Sequence, residues 1–160
     1  MNLDLDVKMT TSALYDYNMH HTYTSLSGVL ATFVGILLLI GYSRDTAYIA
    51  LLVAGLLILL YSPVSLYTRS RKQIMLNPAF KEPLHYHFSD EGVTVSNKDD
   101  SMLVEWKDMY KAYSTNQSII LATGKKNAWI FPKRELGDAR MELIEIISTH
   151  MDPQKVRIKQ

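Results

Sequence analysis

The stretch LSGVLATFVGILLLIGY at Leu26–Tyr42 and the stretch AYIALLVAGLLILLYSPVSLY at Ala47–Tyr67 decide the fold class. They are uncharged over 17 and 21 residues, and only Ser43–Thr46 separate them. A helix needs about 20 apolar residues to cross the hydrocarbon core of a bilayer. Neither stretch has the polar stripe that a helix of a soluble bundle carries. We therefore predict two transmembrane helices, at roughly 23–42 and 47–67, within a hairpin over 22–68.

The short linker requires both ends of the hairpin to lie on the same side of the membrane. Its tip carries only Arg44 beside Asp45. Basic residues resist translocation, so the side with more of them is cytoplasmic. They collect at the base of the hairpin, after the second segment (Arg69, Arg71, Lys72 and Lys81) and before the first (Lys8). We predict a multi-pass protein with cytoplasmic N- and C-termini.

Composition excludes several classes of protein. Residues 1–68 carry a formal charge of −2 and residues 69–160 a charge of +3, which sum to +1 for the chain. This balance gives no signal for nucleic-acid binding. The absence of Cys excludes a disulfide scaffold, a Cys-based zinc site and a Cys nucleophile. The apolar segments carry no ionisable residue at their centres, which argues against a transporter or a proton pump.

Small residues recur inside the apolar segments and allow two helix backbones to approach closely. They form either the seam of the hairpin or the interface of a homodimer through the transmembrane helices. The residues concerned are Gly28, Ala31, Gly35, Ala50, Ala54 and Gly55.

The segments on either side of the hairpin have β-strand patterns. Apolar and polar residues alternate from Asn2 to Met9, which predicts a half-buried strand, and Thr10–Ser12 offers a helix N-cap. After residue 82, short alternating runs are separated by polar turns, and residues 138–150 have the spacing of an amphipathic helix. We predict an α+β protein in which a small antiparallel sheet or open barrel is capped by a C-terminal helix. Because the hairpin returns the chain to one side, the N-terminal strand is expected to join that sheet.

These patterns divide the chain into five predicted regions. A strand and helix over 1–21 lead into the hairpin over 22–68. A basic connector follows at 69–82, then the β-rich domain with its helix at 83–152, and a tail at 153–160.

Three motifs in the β-rich region carry a resemblance to a family. They are YHFSDEGV at Tyr86–Val93, VEWKDMYK at Val104–Lys111 and WIFPKR at Trp129–Arg134. Together with the two preceding apolar segments, they resemble the YcxB-like bacterial membrane proteins over residues 80–150. The resemblance implies a fold similar to pleckstrin-homology domains and a location in the bacterial inner membrane. It carries no catalytic residues with it.

Motifs for catalysis or metal binding are not apparent. His85 and His87 lie at i and i+2 on one strand face, and Glu82 or Asp90 could add a carboxylate. A zinc site needs three or four ligands, and a histidine on a polar face is ordinarily solvated. No nucleophile elbow, HExxH motif or phosphate-binding glycine loop occurs. We therefore predict no enzyme, no metal and no cofactor.

Basic residues are the remaining candidates for a binding site. Anionic lipid attracts a juxtamembrane Lys or Arg by about 1 kcal/mol. The candidate lipid or phosphate contacts are Arg69, Arg71, Lys72, Lys125, Lys126, Lys133 and Arg134. The alternative is that the juxtamembrane residues only set topology and the others are solvated turn charges. Our first hypothesis is a membrane-anchored regulatory or scaffolding module that binds a protein partner through a sheet edge or groove, and the second is sensing of anionic lipid headgroups.

Overall fold

A computed structural model describes residues 2–77, 80, 82–97, 100–125 and 127–158. Its fold is α+β, with two long apolar helices and two small sheets, as the sequence predicts. Short 3-10 turns occupy Trp106–Asp108 and Pro153–Lys155. The elements are β1 (Leu3–Val7), α1 (Thr11–Thr24), α2 (Leu26–Arg44), α3 (Ile49–Leu76), β2 (Leu84–Phe88), β3 (Gly92–Ser96), β4 (Ser101–Glu105), β5 (Lys111–Ser114), β6 (Ser118–Ala122), β7 (Ala128–Pro132), α4 (Lys133–Leu136), α5 (Ala139–His150) and β8 (Val156–Arg157).

Helices α2 and α3 form an antiparallel pair whose apolar side chains face outward. They have 19 and 28 residues, which is long enough to cross a membrane. Only 11% of the most apolar window of α2 and 6% of that of α3 is buried. A core helix of a soluble domain would be mostly buried, so this exposure is the pattern expected of lipid-facing helices.

Two of the predicted small residues form the seam between α2 and α3. A Cβ atom on Gly35 would lie 2.7 Å from the side chain of Leu59, and one on Gly55 would lie 3.0 Å from the carbonyl oxygen of Gly35. Glycine at both positions therefore lets the backbones approach closely. The seam of the hairpin accounts for these two residues, and a homodimer through the helices stays a prediction.

Helix α3 continues beyond its apolar part to Leu76, so the first half of the predicted connector is helical. Tertiary contacts explain this extension. Ser70 is fully buried, and its Oγ accepts a hydrogen bond from Nδ2 of Asn18 in α1 at 3.0 Å. Ile74, one turn further on, packs against a buried apolar cluster. The basic residues of this segment are evident from the sequence, but the packing of the segment against α1 is not.

The predicted N-terminal strand joins the sheet as expected. β1 pairs antiparallel with β2, and its register runs from Leu3 opposite Phe88 to Val7 opposite Leu84. Buried and exposed residues alternate along β1. Thr10 caps α1, because its side chain accepts a hydrogen bond from the N–H of Ala13 at 3.2 Å.

The strands form two four-stranded sheets rather than one, and they do not close into a barrel within the described residues. The first sheet has the order β1-β2-β3-β4 and the second β7-β6-β5-β8. Their inner faces and one face of α5 enclose the main core, which contains Phe88, Trp106, Phe131, Leu143 and Ile147 among others. The region that the sequence predicts as a tail contains β8, which pairs parallel with β5.

A second, smaller core lies on the outer face of the second sheet. Ala13 and Leu14 of α1 pack there against Ile120 of β6 and Ile130 of β7. Ile74 of α3 lies at the border of the same cluster. The β-rich domain is thereby fixed to the base of the helical hairpin through α1.

Candidate functional site

The predicted basic residues after the second apolar segment lie on one helical extension. Arg69 and Lys72 line a shallow groove of about 440 Å³ together with Gln73, Leu76 and Asn77. Residues three and four positions apart share a helix face, which explains why these side chains meet. The face opposite carries Ser70 and Ile74, which contact α1 and the second core.

Lys133, which follows β7, is held by backbone carbonyl groups. Its Nζ donates to the carbonyl oxygen of Thr115 at 2.6 Å and lies 3.4 Å from that of Asn116. Burial, followed by the neighbouring charge of Arg140, lowers the pKa of Lys133. Its ammonium therefore fastens the β5–β6 turn to α4, and Arg134 follows it on α4.

The remaining candidates lie apart from Lys133. Lys125 lies in the turn between β6 and β7, whereas Lys133 comes after the last residue of β7. A strand rises about 3.3 Å per residue, so the five residues of β7 hold these two side chains at opposite ends of the sheet. Lys126 and Lys81 lie outside the described residues. Thus the structure does not gather the described candidates at one place.

The pairing of β8 with β5 brings a different set of basic residues close together. Lys111 on β5, Lys155 in the preceding 3-10 turn and Arg157 on β8 line one groove of about 590 Å³. His20 of α1 and Tyr110 border the same groove. Sequence reasoning missed this set because the parallel pairing of β8 with β5 links residues more than forty positions apart. The only signal in the sequence was the placement of Lys155 and Arg157 on either side of Val156.

His85 and His87 form a cross-strand ladder with carboxylates of β1. Nδ1 of His85 lies 2.9 Å from Oδ1 of Asp6, and Nδ1 of His87 lies 2.6 Å from Oδ1 of Asp4. The hydrogen bond with Asp6 raises the pKa of His85, and that with His87 lowers the pKa of Asp4. The carboxylates differ from the two that the sequence suggested, since they come from the N-terminal strand.

Metal binding by this ladder has no support in the geometry. No group of three or more His, Asp or Glu side chains within the described ranges is arranged to hold a metal ion. The adjacent His20 and His21 contact different rings. His20 stacks on Tyr113 with a centroid distance of 5.3 Å, and the ring of His21 lies 6.3 Å from that of Tyr17.

Strand β4 forms an open edge of the first sheet. Its only neighbour in the sheet order of the described strands is β3. Met102 and Leu103 of β4 are apolar, and 56% and 48% of their surfaces are exposed. An edge strand with exposed apolar side chains is a template for pairing with another chain.

The backbone of Leu103 points away from β3. The hydrogen bond from the N–H of Asn97 to the carbonyl of Asp100, at 2.9 Å, marks the start of the β3–β4 ladder. Hydrogen-bonded and non-hydrogen-bonded pairs alternate from there. Leu103, opposite Thr94, falls on a non-hydrogen-bonded pair, so its N–H and C=O face outward.

Comparison with known proteins identifies the β-rich region. The family model described as YcxB-like protein matches residues 88–146, which run from the end of β2 into α5. No curated protein and no solved structure matches the chain. Residues 88–146 are therefore similar to the YcxB-like family, in the position that the sequence motifs indicated.

Proposed function

We propose that this chain, with its YcxB-like domain, is a non-enzymatic module of the bacterial inner membrane that binds a protein partner in a regulatory or scaffolding role. α2 and α3 cross the membrane as a hairpin, and both termini lie in the cytoplasm. The pairing of β1 with β2 supports this topology, because it requires the residues before and after the hairpin to lie on the same side. The excess of basic residues at the hairpin base supports the cytoplasmic side. We propose that the two sheets and α5 form a domain like a pleckstrin-homology domain, as the resemblance to the YcxB-like family implies.

The open edge at β4 carries the proposal of a protein partner. The N–H and C=O of Leu103 face outward, and the side chains of Met102 and Leu103 are exposed. An extended segment of a partner, with alternating apolar side chains, would continue the ladder of the sheet and cover these side chains. The occupant proposed is a strand of a different protein.

Photo-crosslinking of the full chain in its native membrane tests this proposal. A benzophenone side chain placed at Met102 should give a discrete adduct, and the same group at Met141 should not. Met141 lies on α5 and is 59% exposed, so it controls for exposure. Leu103→Pro removes the outward-facing donor and leaves the hydrogen bonds to β3 intact, so it should abolish the adduct.

Three outcomes of this experiment would contradict the proposal. The first is the absence of an adduct at Met102, and the second is an adduct that persists in Leu103→Pro. The third is an adduct of twice the mass of the chain, which would identify a second copy as the occupant of β4. Sequencing of the crosslinked peptide distinguishes a partner strand from a second copy directly.

A second candidate function is contact with anionic lipid headgroups. The observation that favours it is the groove shared by Arg69 and Lys72, directly after the apolar part of α3. The double variant Arg69→Gln/Lys72→Gln should lower the amount of phosphatidylglycerol that remains bound after detergent extraction, as measured by native mass spectrometry. Lys125→Gln, in a turn on the second sheet, serves as the control and should leave that amount unchanged.

A further inference from the structure

The groove between α1, β5 and β8 concentrates positive charge without a compensating carboxylate. Among the described residues that line it, Lys111, Lys155 and Arg157 carry positive charge and none is Asp or Glu. The rest of its polar lining consists of His20, Tyr110, Tyr113, Ser114 and Gln154. The groove has a volume of about 590 Å³, which accommodates a small polar headgroup.

The strand register places these charges next to each other. Ala112 lies beside Val156 and Tyr113 beside Arg157 in the parallel β5–β8 pair. Ala112 is fully buried and Val156 packs against the main core, so the residues on either side of them face outward. Lys111 directly precedes Ala112, and Lys155 directly precedes Val156. The two lysines therefore lie side by side, on the same face of the sheet as Arg157.

Like charges placed side by side on neighbouring strands repel each other. Only part of this charge is used within the domain. Nζ of Lys155 donates to the carbonyl oxygen of Met109 at 3.1 Å, and Nζ of Lys111 lies 4.8 Å from the centroid of the Tyr113 ring. The Arg157 side chain makes no hydrogen bond or ion pair with the described residues, so its guanidinium is available to a ligand.

Tyr113 does not supply the missing negative charge. Burial, and then the proximity of Tyr17, raises the pKa of Tyr113 to about 12. Its phenol is therefore neutral at physiological pH. A bound anion would offset the part of the repulsion that solvent does not screen.

We infer that this groove is a binding site for a phosphate group, held by Arg157 together with Lys111 and Lys155. The planar guanidinium of Arg presents paired N–H donors that match two phosphate oxygens, and each Lys adds a point charge. The ligand class is a phosphate mono- or diester, which is present both in lipid headgroups and in soluble phosphates. This site is distinct from the basic face of α3.

The position of the groove favours a headgroup, and this step rests on the proposed membrane anchoring. His20 stacks on Tyr113 and lies five residues before Ser25, the residue between α1 and α2. At a rise of about 1.5 Å per residue, the groove border lies within about 10 Å of the start of the apolar helix. The headgroup region extends about 5–8 Å beyond each side of the hydrocarbon core, so the groove border lies at or next to the headgroup phosphates.

Calorimetric titration of the full chain in a neutral detergent tests binding of soluble phosphate. Inorganic phosphate is the probe, and chloride at matched ionic strength is the control. Arg157→Gln should weaken binding about tenfold, which corresponds to the loss of one charge-assisted hydrogen-bond pair. Lys111→Gln, on the neighbouring strand, should weaken it in the same direction, and Lys125→Gln should not change it.

Hydrogen exchange in nanodiscs tests the headgroup as the source. Nanodiscs of phosphatidylcholine with phosphatidylglycerol should slow amide exchange in residues 109–114 and 153–157 relative to phosphatidylcholine alone, and Arg157→Gln should remove that protection. Protection in nanodiscs without binding of inorganic phosphate assigns the site to headgroups, and the reverse result assigns it to soluble phosphates.

The inference is overturned if neither probe binds, or if binding is unaffected in both Arg157→Gln and Lys111→Gln. Equal melting temperatures of the variants and the parent chain show that a loss of binding is not a loss of folding. Crosslinking at β4 does not involve this groove. A negative binding result for the groove therefore does not contradict the proposed protein partner, and a negative crosslinking result does not contradict the phosphate site.

Discussion

Strands β6 and β4 have similar sequences and opposite environments. β6 reads SIILA and all five of its residues are buried, whereas β4 reads SMLVE and four of its five residues are exposed. β6 lies between β5 and β7, with the main core on one face and α1 on the other. Among the described residues β4 has one neighbouring strand, and its Val104 packs against the main core while its other four residues are exposed. Two apolar strands therefore differ in burial because of what covers them.

β6 is covered on one face by α1, and α1 is continuous in sequence with the apolar hairpin of α2 and α3. The second core thus connects the domain to that hairpin, while β4 lies at the edge of the first sheet opposite β1, the strand that precedes α1. We expect substitutions along the α1–β6 contact to affect stability and those at β4 to affect binding.

The largest expected effect comes from emptying the second core. Ile120→Ala should lower the free energy of unfolding by about 2–5 kcal/mol, because it leaves a cavity between β6 and α1. The matched change Leu103→Ala at the open edge should lie within about 0.5 kcal/mol of the parent. Thermal unfolding of the full chain in detergent measures both. Equal shifts in melting temperature would contradict the difference in coverage.

A smaller effect is expected where α1 meets α3. Asn18→Ala removes the donor to the buried Oγ of Ser70 and leaves that hydroxyl unsatisfied. The cost is about 1–3 kcal/mol. Hydrogen exchange should then increase in α1 and in residues 70–76 before it increases in β4. The double variant Asn18→Ala/Ser70→Ala should recover part of the loss, and a further loss would argue against the hydrogen bond.

The smallest effect is a pH dependence at β1, the opposite edge of the same sheet as β4. The pKa of His85 is raised above its ordinary 6.5. The contribution of the charged His85 to folding stability is therefore complete below pH 6.5 and is lost as the pH rises through the raised pKa. The pKa of Asp4 is lowered below its ordinary 3.8, so its contribution is present above that pH and is lost as pH falls through the lowered value. Protection of the β1 amides from hydrogen exchange should therefore be greatest between about pH 4 and 6.5.

Amide exchange of residues 3–7, corrected for the intrinsic pH dependence of exchange, measures this effect. His85→Gln should flatten the profile on its alkaline side. His21→Gln, on α1, is the control and should leave the profile unchanged. A profile that is flat in the parent chain would show that the exposed ladder contributes nothing to the docking of β1.

Much of the fold was predictable because its patterns are local. The two apolar segments, the alternation of Leu3, Leu5 and Val7, and the Thr10 cap each depend on neighbours within a few residues. The short hairpin linker then implied that the N-terminal strand joins the later strands. The motifs from Tyr86 to Arg134 were sufficient to indicate the YcxB-like domain.

The candidate sites were less predictable because they join distant segments. Lys133 reads as a free charge in the sequence, but two carbonyl groups of the β5–β6 turn surround its Nζ. Arg157 reads as part of a tail, but the parallel pairing with β5 places it beside Tyr113. Charge alone gives no indication of which segments will be neighbours.

The sequence by itself determined most of the secondary structure, the apolar hairpin and the joining of the N-terminal strand to the later strands, because hydrophobic periodicity and linker length act locally. It did not reveal the extension of α3 or strand β8. Only the tertiary structure decided which apolar strand is covered and which basic side chains converge. Those outcomes depend on sheet order and register, which are set by packing between segments that are far apart in the chain.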